Sequence, residues 1–102
     1  MQGKIAFEEH FAIEETLGDT WAFAGDSGKW NEFTREILDL GATRLGYMDD
    51  AGIELAVLSL HAPGIQGIVD PVEALTISRK ANNRLAAAVA SRPERYAALA
   101  AL

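Results

Sequence analysis

Residues 53–60, IELAVLSL, form a near-continuous apolar run bounded by Gly52 on one side and by His61-Ala62-Pro63-Gly64 on the other. Ile53, Leu55, Ala56, Val57, Leu58 and Leu60 leave almost no polar alternation, so the run is satisfied only by cover on both faces. A strand of this kind sits at the centre of a parallel sheet, and parallel neighbours require crossover connections that are usually helical. The chain must then supply further strands with helices between them.

The rest of the sequence can be divided on that basis. KIAFEE, near the N-terminus, carries Ile5, Ala6 and Phe7 in a short apolar run and reads as another strand buried on both faces. FAIEETLGDTWAFAGDSGKW has no regular period and reads as a long loop with a short helical turn, of the length that usually serves a function. From Asn31 the pattern is helical through Phe33, Ile37, Leu38 and Leu40, with Gly41 as a stop, and a second helix is expected from Thr43 to Asp50 with Leu45 and Met48 inward. Asp70-Pro71-Val72-Glu73 combines an N-cap, a proline at the first helical position and a capping-box glutamate. The helix it opens is expected to run to about Ser91, with Leu75, Leu85 and Val89 on one side, and to end before Pro93. RYAALAAL then starts a third strand. The order is βαβαβ, an α/β arrangement with a parallel sheet.

Composition narrows the function. Fifteen acidic residues against nine basic ones give a net charge of −6, and the basic residues are scattered, which argues against nucleic acid and anionic membrane as partners. No apolar run approaches the ~18 residues of a membrane span, and there is no cysteine, so a cytoplasmic protein without disulfides or thiolate metal sites is expected. The glycines follow neither a dinucleotide fingerprint nor a P-loop order, and Ser59 has no nucleophile-elbow context.

The polar residues at strand ends are the candidates for chemistry. Glu8 and His10 are two apart, so in an extended segment their side chains share a side while Glu9 points to the other. A carboxylate and an imidazole in that relation can take two positions around one divalent ion, with further ligands from elsewhere; they can equally be two exposed residues at the end of an edge strand. His61 directly follows the central strand, where ligands gather in parallel α/β folds, and is either a functional group or a solvated loop histidine. In the long loop, Phe23, flanked by Ala22 and Ala24, is the better candidate for an apolar lid over an aromatic ligand, whereas Trp30 is expected to pack back on a helix. Glu14 and Glu15 read as a solvated face.

MQGKIAFEEHFAIEETL, TRLGYMDDAGIELAVLSLHAPGIQ and SRKANNRLAAAVASRPERYAALAAL together resemble the N-terminal third of the amidohydrolase-related non-oxidative aromatic acid decarboxylases, the group acting on dihydroxybenzoates. The resemblance spans essentially the whole chain and is weakest between Asp19 and Glu36. It implies that residues 1–102 are the opening βαβαβ of a single metal-dependent (β/α)8, TIM-type barrel. It implies a divalent metal, zinc or manganese, held by Glu8 and His10, with a further histidine and aspartate ligand and the proton-donating aspartate lying beyond Leu102. Phe23, His61 and Pro63 are implied at the pocket for a small aromatic carboxylic acid, and the full-length enzyme is implied to be a dimer or tetramer. At position 61 the sequence departs from the asparagine expected of close relatives, and a histidine there could bind an extra hydroxyl or carboxylate. Hydrolysis on the same fold is the sister activity, and a non-catalytic piece that folds only with a partner is the reading from a different class.

Overall fold

The computed structural model describes residues 3–20 and 29–102. Three strands, β1 (Lys4–Phe11), β2 (Ile53–Leu60) and β3 (Tyr96–Ala98), form a parallel sheet in the order β1-β2-β3, so the apolar run of residues 53–60 is its central strand. A 3-10 segment (Glu14–Thr20), α1 (Lys29–Leu38) and α2 (Ala42–Ala51) connect β1 to β2. A second 3-10 turn (Gly64–Gly67) and α3 (Pro71–Ser91) connect β2 to β3. Among the described residues no helix is long and apolar enough to cross a membrane.

One face of the sheet carries the core. Ala56 and Leu58 are buried, Leu58 completely, and they pack in one cluster with Phe11, Met48, Ile77, Ala81, Leu85, Ala88 and Tyr96. Ile77, Ala81, Leu85 and Ala88 recur at helical spacing along α3, and the small alanines let the helix approach the strands closely. Of the residues expected on that inward stripe, Leu85 is buried and Val89 packs against the core, but Leu75 is 51% exposed, because it lies two positions before the buried Ile77 and so on the other side of the helix.

Local signals account for the helix ends. The Asp70 carboxylate accepts the Glu73 amide at 2.9 Å, with Pro71 at the first helical position, as the sequence indicates. At α2 the Asp39 carboxylate accepts the Gly41 and Thr43 amides although it lies outside the usual cap position. Gly52 closes α2 at φ 72°, a left-handed conformation that glycine adopts without penalty. Gly64 is required twice over: its φ is 54°, and an added Cβ would lie 3.0 Å from Leu60 Cδ2.

β1 differs from expectation. It runs to Phe11, yet Ile5 is 54% and Phe7 73% exposed, so it is not buried on both faces. The reason is topological: β1 pairs only with β2, and no described element covers the sheet face opposite the helices. The strand is also irregular. Ala6 pairs with Ala56 and Glu9 with Leu58, so Phe7 and Glu8 together face the single residue Val57. This is a β-bulge, which is uncommon between parallel strands, and Glu8 within it has φ 60°. A left-handed conformation in a residue with a Cβ stores on the order of 1 kcal/mol or more.

β3 is tied to the α1–α2 connection by Tyr96, which is 1% exposed and donates its hydroxyl to the Leu40 carbonyl at 3.0 Å. Tyr96→Phe should lower unfolding free energy in urea by about 1–2 kcal/mol, because it leaves that buried carbonyl without a donor. Glu8→Gly should raise it by about 1 kcal/mol, since glycine takes the bulge conformation without strain. Acid should act through Asp39. Burial raises its pKa, but hydrogen bonds from Gly41 and Thr43 and the charge of Arg44 outweigh burial and hold the carboxyl below its ordinary value. Its stabilisation is complete above the ordinary carboxyl pKa of about 4 and is lost as pH falls through the lowered value. Asp39→Asn should flatten that part of the stability profile measured by acid titration of circular dichroism.

Candidate functional site

The C-terminal ends of β1 and β2 lie side by side, joined by the His61 amide donating to the Phe11 carbonyl at 2.9 Å. His10 pairs with Ser59 in register, so both side chains stand on the sheet face away from the helices, and the Ser59 Oγ is 3.2 Å from His10 Nδ1. The His10 Nε2 has no hydrogen-bond partner among the described residues, and the side chain is exposed. Its main chain is held from the other direction: the Arg44 Nη2 donates to the His10 carbonyl at 2.9 Å.

Arg44 is the cation that organises this corner. Its guanidinium also donates to the carbonyls of Asp39 at 2.7 Å and Glu36 at 3.3 Å, joining β1 to the end of α1. Burial lowers its pKa, and the Glu9, Asp39 and Glu36 carboxylates act in the opposite direction. Glu9 sits in register with Leu58 on the helix side of the sheet, its carboxylate 4.0 Å from Arg44 Nη1. That matches the expectation that Glu9 faces away from His10. Glu8 stands apart from this network. It lies in the bulge, its side chain is exposed, and it makes no ion pair or side-chain hydrogen bond with another described residue. Because alternation fails at the bulge, the two-residue spacing between Glu8 and His10 no longer assigns Glu8 a face.

His61 is neither the solvated loop histidine nor the open hydrogen-bonding group that the sequence allows. It is 6% exposed, with Nδ1 2.9 Å from the Ala62 carbonyl and Nε2 3.2 Å from the Thr16 hydroxyl. The carbonyl can only accept, which assigns the Nδ1 proton and leaves Nε2 facing the hydroxyl. Thr16 is itself buried and also bonds the Ile13 main chain, so His61 pins the 3-10 segment after β1 to the end of β2. Pro63 follows in the same turn, half-buried. Trp21 and Phe23 lie outside the described residues, as does the side chain of Trp30.

Arg44, Ser59 and Thr16 are not singled out by the sequence. Ser59 leaves a trace, as one of two polar residues in the 53–60 run. Arg44 and Thr16 leave none, because they act through main-chain carbonyls and a histidine that are 34 and 45 residues distant. Among the described residues no group of three or more histidine, aspartate or glutamate side chains is gathered to hold a metal ion. Glu8 and His10 are two donors, one oxygen and one nitrogen, both without a competing cation partner among the described residues.

No family model matches the chain. It is 52% identical over 103 residues to gamma-resorcylate decarboxylase of Rhizobium radiobacter, a match covering 100% of this chain and 31% of that protein. Among solved structures, a 2,6-dihydroxybenzoate decarboxylase complexed with 2,6-dihydroxybenzoate superposes with a TM-score of 0.94 at 50% identity, covering 100% of this chain and 31% of that one. The dihydroxybenzoic acid decarboxylase of Polaromonas sp. JS666, with bound manganese and the inhibitor 2-nitroresorcinol, also gives 0.94, at 47% identity and with 30% of its chain covered. Sequence and fold therefore agree: over its whole length this chain is homologous to the gamma-resorcylate (2,6-dihydroxybenzoate) decarboxylases, and it spans about a third of the length of those it matches.

Proposed function

We propose that the chain is part of a metal-dependent carboxy-lyase that removes CO2, without redox chemistry, from hydroxybenzoate-type acids, with 2,6-dihydroxybenzoate as the leading candidate substrate. In this reading residues 1–102 are one continuous part of a single (β/α)8 barrel, and the uncovered sheet face with Ile5 and Phe7 is the side that turns to the barrel interior. The observation that carries it is the coincidence of two facts. Identity of 52% to a gamma-resorcylate decarboxylase extends across the whole chain, and near the end of a parallel strand the Glu8 carboxylate and the His10 Nε2 stand without hydrogen-bond partners among the described residues, His10 being held through Nδ1 by Ser59.

The donor set fits a divalent ion of the manganese or zinc kind, since carboxylate oxygen and imidazole nitrogen both suit these metals. Glu8 and His10 would hold it, with the remaining ligands outside the described residues. When bound, such an ion supplies Lewis-acid stabilisation of negative charge on the carboxylate and ortho-hydroxyl oxygens of the acid. The chain's own contribution is placement. His10 offers Nε2 because Ser59 occupies the other nitrogen side and Arg44 fixes the main chain. Glu8 is offered clear of Arg44, which engages Glu9 instead. Phe23, His61 and Pro63 are proposed to border the aromatic ring. With both His61 ring nitrogens engaged, its part in that border is to hold the Pro63 turn in place, not to bond a substrate hydroxyl. The proton that replaces CO2 on the ring is assigned to a residue after Leu102, and the working assembly to a homodimer or tetramer.

In the intact protein, Glu8→Ala and His10→Ala should each abolish both bound manganese, measured by elemental analysis, and conversion of 2,6-dihydroxybenzoate to resorcinol and CO2. Full metal occupancy in both variants would overturn the ligand assignment. A metal-replete wild type that leaves the dihydroxybenzoate untouched would overturn the substrate.

A further inference from the structure

We infer that Ser59 is a positioning residue for His10: it holds the imidazole with Nε2 presented on the open face of the sheet and serves as the acceptor for the Nδ1 proton when Nε2 engages a cation. This rests on the proposed role of His10 as a ligand and extends it to a residue that has no chemistry of its own there.

Four observations converge on it. Ser59 interrupts an otherwise apolar stretch from Leu55 to Leu60, so a hydroxyl is kept where a valine or leucine would fit the strand. Register then sets it directly opposite His10, on the same face and one strand away, and the two side chains meet at 3.2 Å. Among the described residues His10 is its only side-chain hydrogen-bond partner. β2 is moreover the central strand, held by β1 alongside Ser59 and by β3 up to the adjoining Leu58, and so gives the hydroxyl a fixed position.

The chemistry needs such a partner. A neutral imidazole carries one ring proton, and coordination through Nε2 requires that proton on Nδ1, where an acceptor stabilises it and fixes the ring plane. A serine hydroxyl can accept there at no cost in charge. Meanwhile Arg44 restrains the His10 carbonyl, so only the side-chain torsions remain to be set, and Ser59 sets them. Loss of an outer partner of this kind typically weakens metal binding by about 10- to 100-fold.

The test is Mn2+ titration of the intact, metal-stripped protein, following free Mn2+ by electron paramagnetic resonance, alongside thermal unfolding of the metal-free form. Ser59→Ala should weaken Mn2+ binding at least about 10-fold while the unfolding temperature stays that of wild type, since the removed atom packs in no core. Ser59→Thr, which returns a hydroxyl on a strand-favouring side chain, should restore the affinity. His10→Ala serves as reference and should lose binding outright. Wild-type affinity in Ser59→Ala together with loss in His10→Ala overturns the role of Ser59 and leaves the ligand reading standing. Wild-type affinity in both overturns the two together. Equal weakening in Ser59→Ala and Ser59→Thr would also overturn it, because the hydroxyl would then not be what matters.

Discussion

The pairing of β2 on both of its edges is the constraint on which the rest depends. Once Ile53–Leu60 is hydrogen-bonded in parallel to β1 and β3, each of its residues has a face. Ala56 and Leu58 go to the helices and seal the core, while Ser59 goes to the open face and meets His10. The strand thus decides at one stroke what is buried and what is available for chemistry. The helices follow from it: the Ile77, Ala81, Leu85 and Ala88 stripe of α3 and Met48 of α2 are the apolar surfaces that Leu58 can be buried against. Tyr96 completes the arrangement by joining β3 to the α1–α2 connection through a buried hydroxyl.

Next to the site, it is β1 that gives up regular pairing. One extra residue between Ala6 and Glu9 forces Glu8 into a left-handed conformation, and the side chain so displaced is one of the two proposed metal donors. Backbone strain of this sort persists only where the surroundings over-determine it, and it gathers at functional positions. The surroundings here are identifiable. Arg44 grips the His10 carbonyl and two carbonyls at the end of α1, while His61 and Thr16 lock the segment after the strand. A rigid frame around a strained donor is what a site that must hold ligand geometry requires.

How far this was readable from the residues differs from element to element. The α3 start was readable because Asp70, Pro71 and Glu73 act within one turn of chain. The central strand was readable because a near-continuous apolar run has few other uses. The inward row of α3 was misread at Leu75, since alanine is apolar enough to be buried yet too weak a signal to fix a helical stripe. His61 was visible as a residue but not in its role, which is set by a threonine 45 residues away.

The sequence alone determined that strands and helices alternate, that the second strand lies centrally in a parallel sheet, and that Glu8 and His10 fall at a strand end, because local propensities and short periods encode these. Only the tertiary structure decided that β1 bulges at Glu8, that Arg44 and Ser59 restrain His10, and that His61 turns inward. Each of these depends on register between strands some fifty residues apart or on a side chain meeting distant main chain, and no local pattern carries that information.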